Sequence, residues 1–379
     1  MGVDGMKKWY SVLPMVVFLV FLAVMTALLL FGPKGDFSVN EKRVLAQAPD
    51  LSPSAILKGE TQKELEDFTS DQVPGRDFFV GVNAYWTLAT GRNGAQDIYH
   101  GRDGYLINSP KPYNEALLTD NLTRFDAFAA KTGLPADLIM VPTTGYLMED
   151  KLPAAHGAYH DDQVYDLAAE KVQALRILDV RETLRQGAKE GQVCYRTDHH
   201  LTSYGNYLLA KAYQDAVGGE DLRQDYDDIS VYDGFYGTTW SGSGYWLTKP
   251  DTVELWDSGV QVTVTLDDGA GQVKTAHSLF FPDHLEDLDK YPVFLDGNHA
   301  LVTIENPSAP GGSVLVIRDS YAHCFATFLA EKYKTVTLVD LRYFRTPVSD
   351  LLAEHPADRL LVLYGVDNLL TDNNSAWLS

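Results

Sequence analysis

The sequence predicts an α/β domain built on a doubly wound, mainly parallel β-sheet, with a β-rich insertion and one N-terminal membrane-spanning helix. Three apolar runs, residues 314–317, 335–339 and 359–363, alternate with helical patterns, which is the βαβαβ order of a doubly wound sheet. Residues 254–275 alternate apolar and polar side chains around Asp267-Asp268-Gly269, a pattern typical of a β-hairpin. We expect this hairpin to be an insertion rather than part of the main sheet.

The N-terminal segment Val12–Phe31 is apolar over about 20 residues, the length of a helix that spans a bilayer. Lys7 and Lys8 precede it, and Trp9 and Tyr10 lie where aromatic side chains meet lipid headgroups. The segment is longer than the apolar region of a signal peptide and ends without a small-residue cleavage motif, so an uncleaved anchor is favoured. We expect a cytoplasmic N-terminus over residues 1–10, a membrane anchor over 11–31, a stalk over 32–54 and an exported domain over 55–379.

The first two thirds of the exported part mix helical and strand patterns. Helical periodicity covers residues 55–69 with a break at a glycine, then residues 80–90, 122–131 and 166–184. Short apolar strands are expected at residues 105–107, 138–141 and 193–195. Gly133 fits a helix C-cap, and either Thr202 or Ser203 fits the N-cap of a helix that runs through Tyr213.

The composition is that of a globular protein, with 45% hydrophobic and 11% aromatic residues. Its net charge of −21 at pH 7 argues against nucleic acid as a partner, because binding to phosphates depends on Lys and Arg. An acidic surface of this kind is typical of a soluble domain outside the cell.

Two motifs far apart in the sequence carry the residue types of an acyl-transfer triad. Asp198, His199 and His200 lie in TDHHLTSYG, and Ser320 lies between an apolar run and a helical run in GGSVLVIRDSYAHCFATFL. A serine hydroxyl supplies the nucleophile, an imidazole takes its proton and a carboxylate orients the imidazole. In an extended segment residues i and i+2 share a face, which pairs Asp198 with His200 and turns His199 away. Asp319 and Ser320 are also good helix N-cap residues, an alternative that requires no chemistry.

The two cysteines, Cys194 and Cys324, each lie four residues from a candidate triad member. A disulfide and a pair of buried free thiols are both open at this point. The sequence has no Cys/His spacing typical of a structural zinc site. His156 and His160 have i, i+4 spacing, but Gly157 lies between them, so a solvated polar loop is favoured over a metal site.

The motifs around the candidate triad resemble the bacterial DHHW protein family and the wider group of SGNH-hydrolase-like proteins that O-acetylate alginate and other secreted polysaccharides. The likeness extends over most of the chain, in NEKRVLAQAPDLS, TSDQVPGRD, GRDGYLI, VPTTGYLMEDKLP, FYGTTWSGSGYW and VDLRYF. One position departs from the family pattern: Leu201 stands where the fourth letter of the motif is Trp, which bears on sugar stacking there. The resemblance implies an SGNH-like fold in which the Asp and His precede the Ser, with Asp198, His200 and Ser320 as the triad.

The resemblance also implies a function. We expect a membrane-anchored, extracytoplasmic O-acetyltransferase that acts on a secreted or cell-wall polysaccharide, without a metal or other cofactor. A multi-span membrane protein that supplies the acyl donor is the partner implied. The alternatives are a carbohydrate acetyl esterase, which releases the acyl group to water, and a catalytically silent polysaccharide-binding or assembly protein on the same fold.

Further residues are candidates for substrate binding. Arg342 and Tyr343 follow a predicted strand, where doubly wound sheets place ligand contacts, although Arg342 could instead pair with Asp340. Tyr321 and His199 are candidates because they adjoin the predicted nucleophile and base. The aromatic side chains of FYGTTWSGSGYW could form a sugar platform or pack in the core, and the sequence leaves both open.

Overall fold

The computed structural model of the chain describes residues 3–219, 221–222, 226 and 229–378; for residues 3–11 and Glu60 it describes only the backbone. The expected interfacial roles of Lys7, Lys8, Trp9 and Tyr10 therefore lie outside the described side chains. The chain forms two compact units, one of Met1–Gly91 with Gly244–Trp246 and one of Arg92–Ser243 with Leu247–Ser379.

The first unit contains a long N-terminal helix and three shorter ones. Its elements are α1 (Val3–Phe31), β1 (Phe37–Ser38), β2 (Arg43–Val44), α2 (Pro53–Lys58), α3 (Glu60–Gln72) and α4 (Arg76–Ala89). The break predicted between α2 and α3 is confirmed: Gly59 ends α2 at a φ of 76°, a backbone conformation that glycine adopts without strain.

The helix α1 contains the segment predicted to span a membrane. Val12–Phe31 has a mean hydropathy of 2.8 and none of it is buried within the protein. Its length and composition are compatible with a membrane anchor or with a signal sequence. After α1, residues of the expected stalk bind α3, because the Ala46 amide donates to Asp71 (2.8 Å) and the Gly35 amide to Gln72 (3.1 Å).

The second unit is organised around a sheet of eight described strands. The strands of this unit are β3 (Gly94–Ala95), β4 (Ile98–His100), β5 (Leu106–Asn108), β6 (Ala136–Val141), β7 (Arg176–Leu178), β8 (Ile229–Phe235), β9 (Asp251–Trp256), β10 (Thr263–Asp267), β11 (Val273–Ala276), β12 (Leu301–Glu305), β13 (Gly311–Arg318), β14 (Tyr333–Asp340) and β15 (Arg359–Gly365). The main sheet has the order β11-β10-β12-β14-β13-β15-β6-β7. The five strands from β14 to β7 pair in parallel, and the other three pair antiparallel.

Helices cover both faces of the main sheet. The helices described in the second unit are α5 (Glu115–Thr132), α6 (Thr144–Leu147), α7 (Asp161–Lys171), α8 (Arg181–Glu190), α9 (Ser203–Val217), α10 (Thr238–Ser243), α11 (Ala322–Leu329), α12 (Val348–Glu354) and α13 (Val366–Thr371). The strand β13 shows why its sequence is continuously apolar: Val314 and Val316 belong to one hydrophobic cluster, whereas Leu315 and Ile317 belong to the cluster on the other face. The predicted mixed α/β fold with a mostly parallel central sheet is confirmed.

Three local predictions were wrong. The hairpin around Asp267-Asp268-Gly269 forms, but its strands β10 and β11 extend the main sheet instead of lying outside it. Residues 166–184 do not form one helix, because α7 ends at Lys171 and β7 and α8 follow. Residues 193–195 form no ladder strand within the described structure; Cys194 makes one isolated bridge with Leu201.

Candidate active site

Ser320 lies in the turn that joins β13 to α11, at the carboxyl end of the central parallel strands. The preceding residue holds this turn in place. One carboxylate oxygen of Asp319 accepts the Tyr321 amide (2.9 Å), and the other accepts the amide of Gly365 and the side chain of Asn368, both at 2.7 Å. Asp319 therefore ties the nucleophile turn to the end of the neighbouring strand β15.

The residues before α9 form a tight loop rather than an extended strand. The Tyr195 amide donates to the His200 carbonyl (3.2 Å), and the Asp198 carboxylate accepts the His200 amide (2.9 Å). This local hydrogen bond, of the kind that aspartate often makes two residues along the chain, brings the two side chains together. The expected pairing of Asp198 with His200 is present, but the extended segment from which it was inferred is not.

The three predicted triad residues form one continuous hydrogen-bonded chain. His200 Nδ1 lies 2.5 Å from Asp198 Oδ1, and His200 Nε2 lies 2.8 Å from Ser320 Oγ. Because an ionised carboxylate only accepts, Nδ1 carries the proton and the Nε2 lone pair faces the serine hydroxyl. Ser320 is 9% exposed, whereas the side chains behind it are almost fully buried. A nucleophile hydrogen bonded to a base that a carboxylate orients is the arrangement that acyl transfer requires.

The environment of Asp198 keeps its carboxylate ionised. Its second oxygen accepts both the amide (2.7 Å) and the hydroxyl (2.8 Å) of Thr238. Burial raises the pKa of Asp198, but the electrostatic interaction with the His200 and His199 imidazoles and these hydrogen bonds outweigh burial and hold the pKa well below its usual range. Gly237 is required for this packing, since a Cβ there would lie 2.2 Å from the Asp198 Cβ.

Tyr291 contacts both the base and the nucleophile, and the sequence did not indicate it. Its ring stacks on the His200 imidazole with a centroid separation of 3.8 Å and an interplanar angle of 10°. Its hydroxyl donates to the Ser320 carbonyl (3.1 Å). Tyr291 lies 29 residues before Ser320, at the start of the short 3-10 helix Tyr291–Val293, so only the fold reveals this contact.

His199 and Tyr321 flank the triad. His199 Nδ1 lies 2.6 Å from Thr238 Oγ1, and since that hydroxyl donates to Asp198, His199 Nδ1 is the donor. The His199 ring also lies 3.9 Å from the His200 ring. The Tyr321 hydroxyl donates to the His199 carbonyl (2.8 Å). Both side chains therefore adjoin the triad, and a role in substrate binding stays a prediction.

Arg342 pairs with Asp340, as one of the two alternatives proposed. Its Nη2 lies 2.6 Å from Asp340 Oδ2, and the fully buried Arg318 binds the same oxygen at 3.0 Å. Arg342 also packs over the ring of the exposed Tyr343, 5.5 Å from its centroid. The structure thus assigns the Arg342 guanidinium to an ion pair, and the predicted role of both residues in substrate binding stays untested.

The Ser320 amide is a candidate for binding an oxyanion. Within the described residues this N–H has no acceptor, and it lies one turn before α11, where helix amides favour negative charge. An oxygen that develops negative charge during attack by Ser320 would meet this donor first.

The other candidates are mostly structural. Leu201, in the motif position expected to be Trp, is 1% exposed and packs in the core. In FYGTTWSGSGYW, Phe235, Trp240 and Tyr245 are buried, which favours core packing over a sugar platform. Cys194 and Cys324 are free thiols, and burial raises the pKa of each to about 12.

Potential metal ligands in the described part of the chain converge at Asp198, His199 and His200, whose ligand atoms lie within 4.8 Å of one another. Both Asp198 oxygens and the Nδ1 atoms of both histidines are already hydrogen bonded within the protein. The His156 and His160 side chains instead bind Gly157 and Gln163, in keeping with the predicted polar loop.

Comparison with known families identifies two that the chain resembles. Residues 107–227 match the SGNH hydrolase-like domain of the acetyltransferase AlgX, and residues 173–339, which include the whole candidate triad, match the DHHW protein family. No curated protein sequence matches the chain significantly.

Two solved structures share the fold. A DHHW family protein from Eubacterium siraeum has a TM-score of 0.64 and 20% identity, covering 74% of this chain and 94% of its own. PatB1 from Bacillus cereus, solved with a sulfonyl adduct, has a TM-score of 0.64 and 16% identity, covering 74% of this chain and 98% of its own. The chain therefore carries an SGNH hydrolase-like fold, and its resemblance to the DHHW family is confirmed.

Proposed function

We propose that this protein is a membrane-anchored O-acetyltransferase that modifies a polysaccharide outside the cytoplasm. The observation that carries the proposal is the hydrogen-bonded chain from Asp198 through His200 to Ser320. The family match to an acetyltransferase domain supports the same class of chemistry, an SGNH-type O-acetyltransferase or esterase.

The first half-reaction forms an acyl-serine. Ser320 Oγ attacks the carbonyl carbon of the acyl donor while His200 Nε2 removes the hydroxyl proton. Asp198 stabilises the imidazolium, and the Ser320 amide donates to the oxygen that becomes negative. The tetrahedral intermediate collapses, the donor's leaving group takes the proton from His200, and the acyl group remains on Ser320.

The second half-reaction determines whether the protein is a transferase or an esterase. His200 removes a proton from an acceptor hydroxyl, the hydroxyl oxygen attacks the acyl-serine, and Ser320 recovers its proton as the ester leaves. A sugar hydroxyl gives transfer, and water gives hydrolysis. The net charge of −21 favours a neutral polysaccharide over an anionic one.

The N-terminal helix supports the proposed location. Val12–Phe31 would hold the protein in the membrane with residues 1–10 inside, so that the exported domain meets the polysaccharide. A multi-span membrane protein would then supply the acyl donor. Protease added to spheroplasts should digest the exported domain and spare an N-terminal tag; a protected domain, or a mature N-terminus near Ser38, would contradict this topology.

Activity is tested with a chromogenic acetyl ester and neutral oligosaccharide acceptors. The wild-type protein should release the chromophore with an initial burst and transfer acetyl to the sugar, and Ser320→Ala should do neither. Release above the uncatalysed background at the same rate in Ser320→Ala and the wild type would exclude Ser320 as nucleophile. No release above background by the wild type would favour the silent binding protein.

A further inference from the structure

A small cavity lies beside the candidate nucleophile and has a polar lining that the triad does not use. Its free volume is about 10 Å³, and Asn108, Thr144, His199, Thr239, Tyr321 and Asp367 contribute to its walls. Tyr321 directly follows Ser320, and the His199 ring lies 3.9 Å from the ring of His200. The cavity therefore shares two wall residues, His199 and Tyr321, with the surroundings of the triad.

Two polar groups in the cavity wall lack hydrogen-bond partners. Thr239 is 2% exposed, and its Oγ1 is buried without a partner in the described structure. The half-buried Asp367 carboxylate likewise accepts no hydrogen bond from any described residue. The nearby Asp161 is different, since the Thr143 amide (2.7 Å) and hydroxyl (2.9 Å) satisfy it. The buried Thr239 hydroxyl without a partner points to a ligand or ordered water that is bound there, and the Asp367 carboxylate is a free acceptor beside it.

The position of Asp367 is that of a ligand-binding residue in this class of fold. It lies two residues after β15, which pairs with β13, so its side chain and Ser320 both follow the carboxyl ends of adjacent parallel strands. Doubly wound sheets bind ligands at this edge.

The ionised Asp367 carboxylate should also lower the stability of the folded protein. Burial and the neighbouring Asp161 raise its pKa to about 6, while Lys111 acts in the opposite direction. A carboxylate with a raised pKa destabilises the folded state at neutral pH, because it must ionise where charge is poorly solvated. An amide of the same shape would avoid that cost, and groups that lower stability in this way are concentrated at functional sites.

We propose that this cavity binds a hydroxyl or hydroxymethyl group of the neutral sugar acceptor, with the Asp367 carboxylate accepting a hydrogen bond from the hydroxyl and Thr239 making the second hydrogen bond. The inference rests on the proposed function and adds the acceptor site to it. The free space admits about one water molecule, so the hydroxyl of such a group fits but a sugar ring does not. A carboxylate in the wall also disfavours the acid groups of uronate sugars.

Asp367→Asn tests the proposal through the fate of the acyl-serine, which either transfers its acetyl group to the acceptor or is hydrolysed by water. With a chromogenic acetyl ester as donor and glycerol or a neutral gluco-oligosaccharide as acceptor, the ratio of transfer to hydrolysis should fall about tenfold relative to wild type. The fall should reside in the KM for the acceptor. Asp166→Asn, which removes an exposed carboxylate on α7, is the matched control and should leave the ratio unchanged. An unchanged ratio in Asp367→Asn would overturn the proposal.

Stability distinguishes acceptor binding from a structural role. Asp367→Asn should raise the unfolding midpoint at pH 7.5 while it impairs transfer. If it lowers both the midpoint and the transfer ratio, Asp367 is a structural residue and the proposal is wrong.

Direct binding separates this inference from the proposed function. Titration of the same oligosaccharide into Ser320→Ala and into Ser320→Ala/Asp367→Asn should show weaker binding by the double variant. Equal affinities would overturn the acceptor site. A wild-type protein that forms no acyl-serine would overturn the proposed function, and this titration would still decide whether the cavity binds the sugar.

Discussion

The His200 imidazole lies flat against the Tyr291 ring, with the centroids 3.8 Å apart and the planes 10° from parallel. The same tyrosine donates its hydroxyl to the carbonyl of Ser320. A single buried side chain thus fixes the plane of the candidate base and the backbone that carries the candidate nucleophile. Tyr291 contacts the face of the His200 ring and the carbonyl of Ser320, and it makes no hydrogen bond to His200 Nε2 or Ser320 Oγ. It is therefore a positioning residue.

Substitutions of Tyr291 should separate stacking from hydrogen bonding. Tyr291→Leu removes both and should lower kcat about a hundredfold with little change in KM, since small misplacements of catalytic groups have effects of this size. Tyr291→Phe keeps the stacked ring and should retain most of kcat. Steady-state kinetics on an acetyl ester measures both variants, and equal losses in Phe and Leu would contradict a role for the stacking.

A methyl group at Gly237 should displace Asp198, the carboxylate of the candidate triad. An alanine Cβ at this position would lie 2.2 Å from the Asp198 Cβ and 2.5 Å from its Oδ2, so Asp198 would have to move. We expect Gly237→Ala to lower kcat by at least about tenfold. Gly242→Ala on α10 is the control, because its Cβ would meet only the flexible end of Ile98 at 3.1 Å. Similar activities for the two variants would show that Asp198 is not positioned as described.

The two adjacent histidines should differ strongly in importance. His200→Ala removes the candidate base and should lower kcat by about 10³-fold or more. His199→Ala removes a side chain that contacts Thr238 and the face of His200, and we expect a loss of about tenfold or less. Parallel assays of the two purified variants measure the ranking, and the reverse order would assign the base to His199.

The buried carboxyl of Asp161 should make the free energy of unfolding depend on pH, independently of catalytic activity. Burial raises the pKa of this carboxyl to about 6 despite its hydrogen bonds from Thr143. The folded protein therefore binds this proton more tightly than the unfolded chain. The contribution of Asp161 to the free energy of unfolding becomes less favourable as pH rises from about 4 to 6. Above pH 6 the full cost is present, on the order of 3 kcal/mol.

Asp161→Asn should accordingly be more stable than wild type at pH 7.5, because an amide still hydrogen bonds to Thr143 without ionising. At about pH 4.5 the advantage should largely disappear, since Asp161 is then protonated in the folded protein. Urea unfolding at the two pH values gives both free energies. A stability difference that is the same at both pH values would refute the ionisation of Asp161 as its source.

The parts of the fold that were predictable are those in which local pattern and burial agree. Strands such as β13 are apolar on both faces because both faces are covered, and this is visible in the sequence. The strand β7 was missed because α7 stops for a reason distant in the chain. Asp126 accepts the amides of Gln173, Ala174 and Leu175 at 2.7–3.0 Å, which fixes the turn after α7. No pattern within residues 166–184 shows that contact.

The candidate site likewise contains some residues that could be inferred from the sequence and others that could not. The chemistry of Asp198, His200 and Ser320 could be inferred from residue types and the family resemblance, and their proximity agrees with that inference. Tyr291 and Asp367 could not be inferred, because an isolated tyrosine or aspartate has no distinguishing spacing. Their relation to the site depends on which strands are neighbours, which only the tertiary structure shows.

The most direct test of the central claim is the site of covalent labelling by a serine-reactive sulfonyl fluoride or phosphonate. Peptide mass spectrometry of the treated wild-type protein should place a stoichiometric adduct on Ser320, and His200→Ala should label far more slowly because the hydroxyl loses its base. Labelling of another residue, or of Ser320 at the same rate in wild type and His200→Ala, would contradict the account.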